Sequence, residues 1–295
     1  MTIIAGFSAS RQGMAPLNLA AQLARCTGAR IVAAVIVEQP WPPKTDPVEG
    51  EYLNYIAVQA KQSLERMVRR LPDDLDVWQL VHHAPSIPEG LTEIAAETGA
   101  DVVVVGSSSS GLLGRVALGS VTDRLVHTAA VPVAIAPRGY SENLSQIDRL
   151  TVAYGGQSDA VGLVASTADL ARRWSSRLRI ASFTVRPMTR FRGALEPDAE
   201  DLVVEAWSRR TEAEIAAQIQ QIRSGTDTLH ADVVIGAGPS WLDAVDSISW
   251  EPGDILVLGS GAAGPVAQVF LGSAAARILR HAPVPTMIVP RRKPA

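Results

Sequence analysis

The chain has 295 residues, of which 47% are hydrophobic and 19% are charged, and its formal net charge is −3. This composition excludes an intrinsically disordered chain, and the length exceeds the ~100–200 residues of one ordinary domain. The slightly negative charge argues against a nucleic-acid partner, because a phosphate backbone is bound by clustered Lys and Arg.

Short branched apolar runs alternate with helical patterns along the first part of the chain. Strands as apolar as VVVV need cover on both faces, and helical crossovers provide that cover. The alternation predicts an α/β fold in which a doubly wound, mainly parallel sheet has five strands. The predicted elements, in the order βαβαβαβαβ, are Ile3–Ala5, Ala15–Thr27, Ile31–Val37, Tyr52–Arg70, Val77–Val81, Ile87–Thr98, Val102–Val105, Ser120–Thr128 and Val131–Ala136.

The second part of the chain repeats the first. Asp101–Pro137 aligns with Asp254–Pro290 at a constant offset of 153 residues, without a gap over 37 positions. Upstream the match is weaker, and TIIAGFSAS near Thr2 corresponds to LTVAYGGQS near Leu150. A copy of this length is a whole domain rather than a solenoid unit of ~20–50 residues.

The repeat predicts two tandem Rossmann-like domains, residues 1–140 and 147–295. They join near Arg138–Ser145, where Gly, Ser and Asn cluster. The closing strands, Val131–Ala136 and Pro285–Val289, are predicted to pair or pack between the domains, because an exposed apolar edge invites association.

Two irregular stretches, Glu38–Glu51 and Arg186–Pro197, follow the second strand of each domain. In open α/β sheets a ligand lies beyond the carboxyl ends of the strands, where such loops form a roof. We therefore expect these stretches near a binding crevice.

A glycine motif follows a buried strand in both copies. Gly106 ends the VVVV run and Gly119-Ser120 opens the next helix, while Gly259 and Gly272-Ser273 repeat this spacing. Glycine lets the backbone approach a phosphate, and the N–H groups and dipole of a helix amino end attract anions. The alternative is an ordinary strand-to-helix turn in which the two serines cap their helices.

With these motifs the chain resembles the universal stress proteins in their tandem form, in which one polypeptide carries two family domains. ATP-binding members carry Gly, two residues, Gly, nine residues, then Gly followed by Ser or Thr. Here the related runs are Gly106–Ser120 and Gly259–Ser273, and the VPV and VPT runs, Val131–Val133 and Val284–Thr286, resemble the family's closing strand.

The chain departs from that pattern in the same way in both copies. Ser109 and Ala262 stand where the family has its second glycine. Gly6 and Gly155 are interpreted as standing where ATP-binding members place an aspartate associated with the nucleoside. Neither copy carries the complete signature, so weak nucleotide binding and lost nucleotide binding both stay open.

The resemblance implies ATP, or a related adenine nucleotide, as ligand. Its phosphates would lie on the glycine motifs, and its adenine would lie near the ends of the second strands, at positions that also suit ordinary core. The residues predicted to bind are Gly6, Ile36, Gly106, Ser107, Ser109, Gly119, Ser120, Gly155, Phe183, Gly259, Ser260, Ala262, Gly272 and Ser273.

No catalytic residue and no metal site are predicted. His82 and His83 are adjacent on a predicted strand, so their side chains point to opposite faces. No Gly-x-Ser-x-Gly elbow, Cys-x-x-Cys or His-Glu-x-x-His spacing is present.

The amino terminus and the cysteine content predict a cytoplasmic protein without a membrane partner. Met1 leads into a short apolar run without the build of a secretion signal. No apolar run approaches the ~20 residues that span a bilayer. The single cysteine, Cys26, cannot form an intramolecular disulfide, and its apolar helical setting suits a buried thiol in a reducing compartment.

The resemblance implies a stress-response protein, not an enzyme, whose nucleotide binding modulates contacts with protein partners or within a homodimer. One alternative is a protein-interaction module of the same family without nucleotide. Another is a slow adenine-nucleotide hydrolase, although neither glycine motif has an evident general base or magnesium ligand beside it.

Overall fold

The computed structural model describes residues 1–8, 13–39, 47–108, 112–141, 146–155, 160–185, 205–207, 209–217, 220, 231–262 and 269–290. The elements of the first half are β1 (Thr2–Gly6), α1 (Ala15–Thr27), β2 (Arg30–Glu38), α2 (Pro47–Val68), β3 (Val77–Ala84), α3 (Ile87–Thr98), β4 (Val102–Gly106), α4 (Ser120–Thr128) and β5 (Val133–Ala136). Those of the second half are β6 (Arg149–Ala153), α5 (Ala160–Arg173), β7 (Arg177–Val185), α6 (the helical residues 209–217), β8 (Ala231–Gly238), α7 (Trp241–Asp246), β9 (Asp254–Gly259), β10 (Gly261–Ala262), β11 (Val269–Phe270), α8 (Ser273–His281) and β12 (Thr286–Val289).

Ten strands form one sheet in the order β3-β2-β1-β4-β5-β12-β9-β6-β7-β8. Within each half the five neighbouring strands are parallel, as the sequence predicts. The α/β fold class with two Rossmann-like, mainly parallel sets of five strands is therefore confirmed. The two sets join edge to edge instead of forming two separate sheets.

The join is an antiparallel pairing of the two closing strands, β5 and β12. Ala134 pairs with Met287, which lies 153 residues later and is therefore its own repeat equivalent. Val133 pairs with Ile288, and Ile135 pairs with Thr286. This is the self-complementary pattern of a two-fold interface, so the predicted pairing of the closing strands is confirmed.

Helices cover both faces of the sheet and enclose two apolar layers. Helices α1, α2, α5 and α6 pack on one face, and α3, α4, α7 and α8 pack on the other. Alternate residues of one strand enter opposite layers, as Ile3 and Ile4 of β1 do. Cys26 is half-buried at the edge of the first layer, and burial raises the pKa of its thiol. Within the described part of the chain, no helix has both the length and the apolar character needed to cross a membrane.

Helix α2 begins at Pro47, five residues before the predicted start at Tyr52. Proline suits the first turn of a helix because the N–H it lacks has no intrahelical partner there, and Glu49 interacts favourably with the helix dipole. The irregular stretch predicted over Glu38–Glu51 is correspondingly shorter, and its residues 40–46 lie outside the described ranges.

A buried polar cluster lies at the amino ends of the strands in the second half. Arg149, Arg179 and Asp254 are 5%, 2% and 1% exposed. Arg149 donates from Nε and Nη2 to the two carboxylate oxygens of Asp254, at 2.8 and 2.6 Å. Such bidentate, charge-assisted pairs are the strong form of the hydrogen bond.

Arg179 brings a second positive charge to this cluster. Its Nε donates to Thr151 Oγ1 at 2.9 Å, and its guanidinium lies 4.9 Å from the centroid of the Trp250 ring. Burial, followed by the nearby charge of Arg149, lowers the pKa of Arg179. Asp254 therefore provides the buried negative charge that both arginines share.

The equivalent positions of the first half are built differently. The strand registers match Arg149, Thr151 and Arg179 with Thr2, Ile4 and Val32, and Ile4 and Val32 are buried in the apolar layer. Asp101, the repeat equivalent of Asp254, lies at the surface and accepts the backbone N–H of Thr2 at 2.8 Å.

The segment that links the halves runs against α1. The Tyr140 hydroxyl donates to Gln22 Oε1, and Asn18 Nδ2 donates to the Tyr140 carbonyl at 3.1 Å. The backbone N–H of Ile147 donates to Cys26 Sγ at 3.0 Å. These contacts fix the link to the first half on both sides of residues 142–145.

We expect the stability of the chain to fall as pH rises from about 10 to about 12, and Tyr140 to cause part of that fall. Burial raises the pKa of Tyr140 to about 12, whereas an exposed tyrosine in the unfolded chain titrates near ~10. The folded state holds this proton more tightly than the unfolded state does. Tyr140 therefore contributes its full stabilisation below the pKa of the unfolded state, and that stabilisation is lost as pH rises through the pKa of the folded state. Urea unfolding between pH 9 and 12 measures the slope, which Tyr140→Phe should reduce; an unchanged slope would refute the assignment.

Candidate functional site

The candidate site of each half lies where the order of the strands reverses. In the first half β1 lies between β2 and β4, and the chain reaches these neighbours by crossovers on opposite faces. We define the first crevice as the place between the carboxyl ends of β1 and β4 and the amino end of α4. The carboxyl ends of β6 and β9 and the amino end of α8 define the second crevice. Ligands of doubly wound sheets bind at such switch points.

The strand registers correct one predicted equivalence. Phe7 N–H donates to Ala34 O at 2.7 Å, and Tyr154 N–H donates to Ala181 O at 2.8 Å, so Phe7 and Tyr154 are equivalent. Gly155 is therefore matched by Ser8, whereas Gly6 is matched by Ala153. The pairing of Gly6 with Gly155 was therefore wrong by two residues, and the position in the first half that matches Gly155 is Ser8.

Gly106 and Gly259, the last residues of β4 and β9, lie close to the first helix of their half. A Cβ on Gly106 would lie 3.3 Å from Pro16 Cγ of α1, and a Cβ on Gly259 would lie 3.0 Å from Leu163 Cδ2 of α5. Contacts this short require the neighbour to shift. These glycines let the first helix of each half, α1 or α5, lie close to the carboxyl end of β4 or β9.

Gly119 and Gly272 have no such explanation. They are the N-cap residues of α4 and α8, with φ of −96° and −57°, which other residues adopt freely. A Cβ on Gly119 would meet Ser108 Cβ at an ordinary 3.5 Å, and a Cβ on Gly272 would have no heavy atom within 4 Å. Among the described residues, neither the backbone conformation nor the packing requires glycine at these two caps.

The alternative in which Ser120 and Ser273 cap the helices is wrong. Both serines are the first helical residue, after the glycine N-cap, and neither cap makes a side-chain hydrogen bond. A helix begins with several N–H groups that have no intrahelical partner, and at α4 and α8 no N-cap side chain satisfies one of them. Both serines are exposed beside these groups.

The serines after β4 are bonded within the protein. Ser107 Oγ accepts the Ala117 N–H at 2.7 Å and donates to the Ala117 carbonyl at 3.1 Å. The N–H groups of Ser107 and Ser108 donate to Ala136 O and Ala117 O at 2.9 and 2.8 Å. These groups hold the described part of the loop between β4 and α4, where the amino end of α4 still offers donors to an anion.

The corresponding residue of the second half is held to the closing strand. Ser260 is buried, and both its N–H and its hydroxyl donate to Val289 O, at 3.1 and 3.3 Å. Ala262 pairs with Val269 in the short β10–β11 ladder. Ser109 and the predicted roof Arg186–Pro197 lie outside the described residues.

The residues predicted to wall an adenine, Ile36 and Phe183, occupy equivalent positions in β2 and β7. Each is half-buried and packs against a glycine. A Cβ added to Gly90 would lie 2.9 Å from Ile36 Cδ1, and a Cβ added to Gly236 would lie 2.7 Å from Phe183 Cδ1. These contacts are those of core side chains, and their role toward a base stays a prediction.

Polar groups around the crevices differ between the halves. Thr122 Oγ1 of α4 donates to Gly106 O at 3.2 Å, whereas its repeat equivalent in α8 is Ala275. Tyr154 is buried directly after β6, and burial, followed by the charge of Glu214, raises the pKa of its phenol. In the described ranges no group of three or more His, Cys, Asp or Glu side chains is placed to hold a metal ion.

Comparison with known proteins agrees with this geometry. The model of the universal stress protein family matches the chain twice, at residues 1–137 and 146–290. Universal stress proteins of Mycobacterium tuberculosis H37Rv and Mycobacterium bovis are each 35% identical to the chain over 298 residues, covering 98% of this chain and 100% of the relative.

Solved structures show the same fold. A universal stress protein from Archaeoglobus fulgidus has a TM-score of 0.57 at 16% identity, covering 99% of this chain and 98% of that chain. A protein of unknown function from Pseudomonas aeruginosa PAO1 has a TM-score of 0.55 at 14% identity, covering 98% of this chain and 92% of that chain. At these identities the likeness concerns the fold alone.

Proposed function

Since the chain belongs to the universal stress protein family, with two family domains in tandem, we propose that it serves a stress response by binding an adenine nucleotide. ATP, or a close relative of it, binds in one or both crevices. Bound nucleotide alters the contacts of the chain with protein partners, and the proposal includes no chemical step.

The observation that carries this proposal is the pair of glycine caps, Gly119 and Gly272. Backbone conformation and packing leave room for a side chain at both positions. A glycine cap keeps the first-turn N–H groups of α4 and α8 accessible to an anion, and the helix dipole favours negative charge there. The triphosphate of a nucleotide suits such a place.

The affinity is expected to be weak. Ser8 and Gly155 follow β1 and β6, and neither offers the carboxylate that the resemblance associates with the nucleoside. A missing partner of this kind costs ~1–3 kcal/mol, which corresponds to ~10- to 100-fold in affinity. The triphosphate therefore contributes a large share of the binding.

A second candidate function is supported by the loop after β4. The N–H groups of Ser107 and Ser108 already bond to carbonyls of the protein, so they bind a phosphate only if the loop rearranges. A protein-interaction module that binds no nucleotide agrees with this arrangement.

Titration of the full chain with a fluorescent ATP analogue separates these candidates. We expect saturable binding that ATP displaces more strongly than adenosine, because the helix amino ends contact phosphate. Absence of binding at millimolar ATP would favour the interaction module. Formation of ADP during the titration, followed by chromatography, would favour the hydrolase instead.

A further inference from the structure

The loop that follows β4 is held by a side-chain contact from the other half of the chain. Arg115 lies in this loop, between Ser108 and Gly119, and its Nη1 and Nη2 donate to Asp246 Oδ1 and Oδ2 at 2.9 and 3.0 Å. Asp246 is the last residue of α7, in the second half. Nη1 of Arg115 also donates to the carbonyl of His281, the last residue of α8.

This contact has the features of a strong surface ion pair. Most exposed pairs contribute little, but a bidentate arginine–carboxylate pair with fixed geometry is an exception. The side chain of Arg115 is only 22% exposed. The carbonyl of His281 lies at the carboxyl end of α8, where the helix dipole favours a cation.

The backbone around Arg115 transmits this anchoring to the loop. The Arg115 carbonyl accepts the N–H of Arg138 at 3.3 Å, and Gly114 N–H donates to the Arg138 carbonyl at 2.9 Å. Two residues further on, Ala117 bonds to Ser107 and Ser108, directly after β4. The guanidinium and the candidate phosphate contacts therefore belong to one hydrogen-bonded loop.

The residues equivalent to Arg115 and Asp246 in the repeat are both uncharged. The repeat equivalent of Arg115, 153 residues later, is Gln268, which lies outside the described residues. The strand and cap registers match Asp246 with Thr92. The ion pair therefore connects the first crevice to the second half, and the repeat-equivalent residues cannot form its counterpart.

We propose that Arg115 and Asp246 form a clasp by which the second half positions the phosphate loop of the first crevice. The ligand in this inference rests on the proposed function, whereas the ordering of the loop does not. A loop already held in its bound conformation loses less entropy on binding, so nucleotide binding in the first half depends on a residue of the second half.

The test uses the full chain carrying Gly272→Val, so that the measured binding belongs to the first crevice. Asp246→Asn and Arg115→Gln are each added singly and then together. Asp169→Asn, which removes an exposed 2.9 Å pair with Arg172 in α5, is the matched control.

Two quantities are measured: the dissociation constant of a fluorescent ATP analogue, and hydrogen exchange of the amides of Gly114, Ala117 and Arg138. We expect each clasp variant to speed exchange and to weaken binding by about three- to tenfold, the range for loss of one charge-assisted contact. The loss of binding free energy in the double variant should be smaller than the sum of the losses in the two single variants, because both substitutions remove the same interaction. The control should change neither quantity.

Unchanged exchange in Asp246→Asn would overturn the clasp, and so would additive single effects. Faster exchange with an unchanged dissociation constant would overturn its role in binding. The proposed function fails if neither the unsubstituted chain nor the chain carrying only Gly272→Val binds nucleotide. In that case the exchange rates still decide whether the clasp orders the loop.

Discussion

Replacing Asp254 with asparagine is expected to lower the free energy of unfolding by about 3–5 kcal/mol, the usual cost of removing one partner from a buried ion pair. The carboxylate is fully buried and receives hydrogen bonds from Arg149 at 2.8 and 2.6 Å. Arg179 lies 3.5 Å from the same carboxylate and is itself buried. Asparagine keeps the shape of Asp254 but leaves two buried guanidinium groups without their shared counter-charge.

The repeat provides a matched control for this prediction. Asp101 is the equivalent residue of the first half, and at the surface its carboxylate accepts one hydrogen bond from Thr2 N–H. Asp101→Asn should lower the free energy of unfolding by less than ~1 kcal/mol, which is the usual effect of removing an exposed polar contact. Urea unfolding of both variants measures the difference, and equal costs would show that the polar cluster does not depend on Asp254.

Replacing Gly119 and Gly272 together with valine is expected to weaken nucleotide binding by about 100-fold, because a branched side chain takes the space of the phosphate beside the first-turn N–H groups. Ser109→Gly and Ala262→Gly, at the other departures from the family pattern, should leave binding unchanged or strengthen it. Titration of each single glycine variant assigns the binding to the first or the second crevice.

The surroundings of these glycines make the result interpretable. Both adopt backbone angles open to other residues, and a Cβ at either position meets no atom of the described residues closer than 3.5 Å. Gly119→Ala and Gly272→Ala should therefore fold like the wild type, and thermal unfolding of all variants checks this. A double valine variant that folds and keeps the wild-type affinity would exclude the proposed site.

Local signals in the sequence were sufficient for the parts of the fold that depend on short stretches. The predicted bounds of the helices Ala15–Thr27 and Ile87–Thr98 match the structure. Each of these helices has proline in its first turn and ends at a left-handed glycine, Gly28 or Gly99, and such punctuation can be read directly. The continuous repeat from Asp101 likewise predicted β9 and β12, the equivalents of β4 and β5 in the second half.

The remaining features depend on contacts between distant residues. Outside the continuous repeat, the short match near Thr2 and Leu150 allowed the wrong register, and one residue of slip moves a strand residue to the opposite face. Nothing in the sequence around Arg179 indicates that its partners are Thr151 and Asp254. The pairing of Arg115 with Asp246 spans 131 residues, and neither residue belongs to a motif.

The pairing of β5 with β12 at the centre of the sheet joins two different sequences, so it lacks a constraint that applies to an interface between identical subunits. At a true two-fold axis a residue meets its own copy, so any substitution there appears twice and must be compatible with itself. In this chain Ala134 meets Met287, a small side chain opposite a large one, and both are 1% exposed. Fusion into one polypeptide lets each side of the junction mutate independently, and it gives each of the two closing strands a permanent neighbour on both sides. Assembly of two such chains therefore requires another surface, and among the described strands β3 and β8 stand at the two ends of the ten-stranded order.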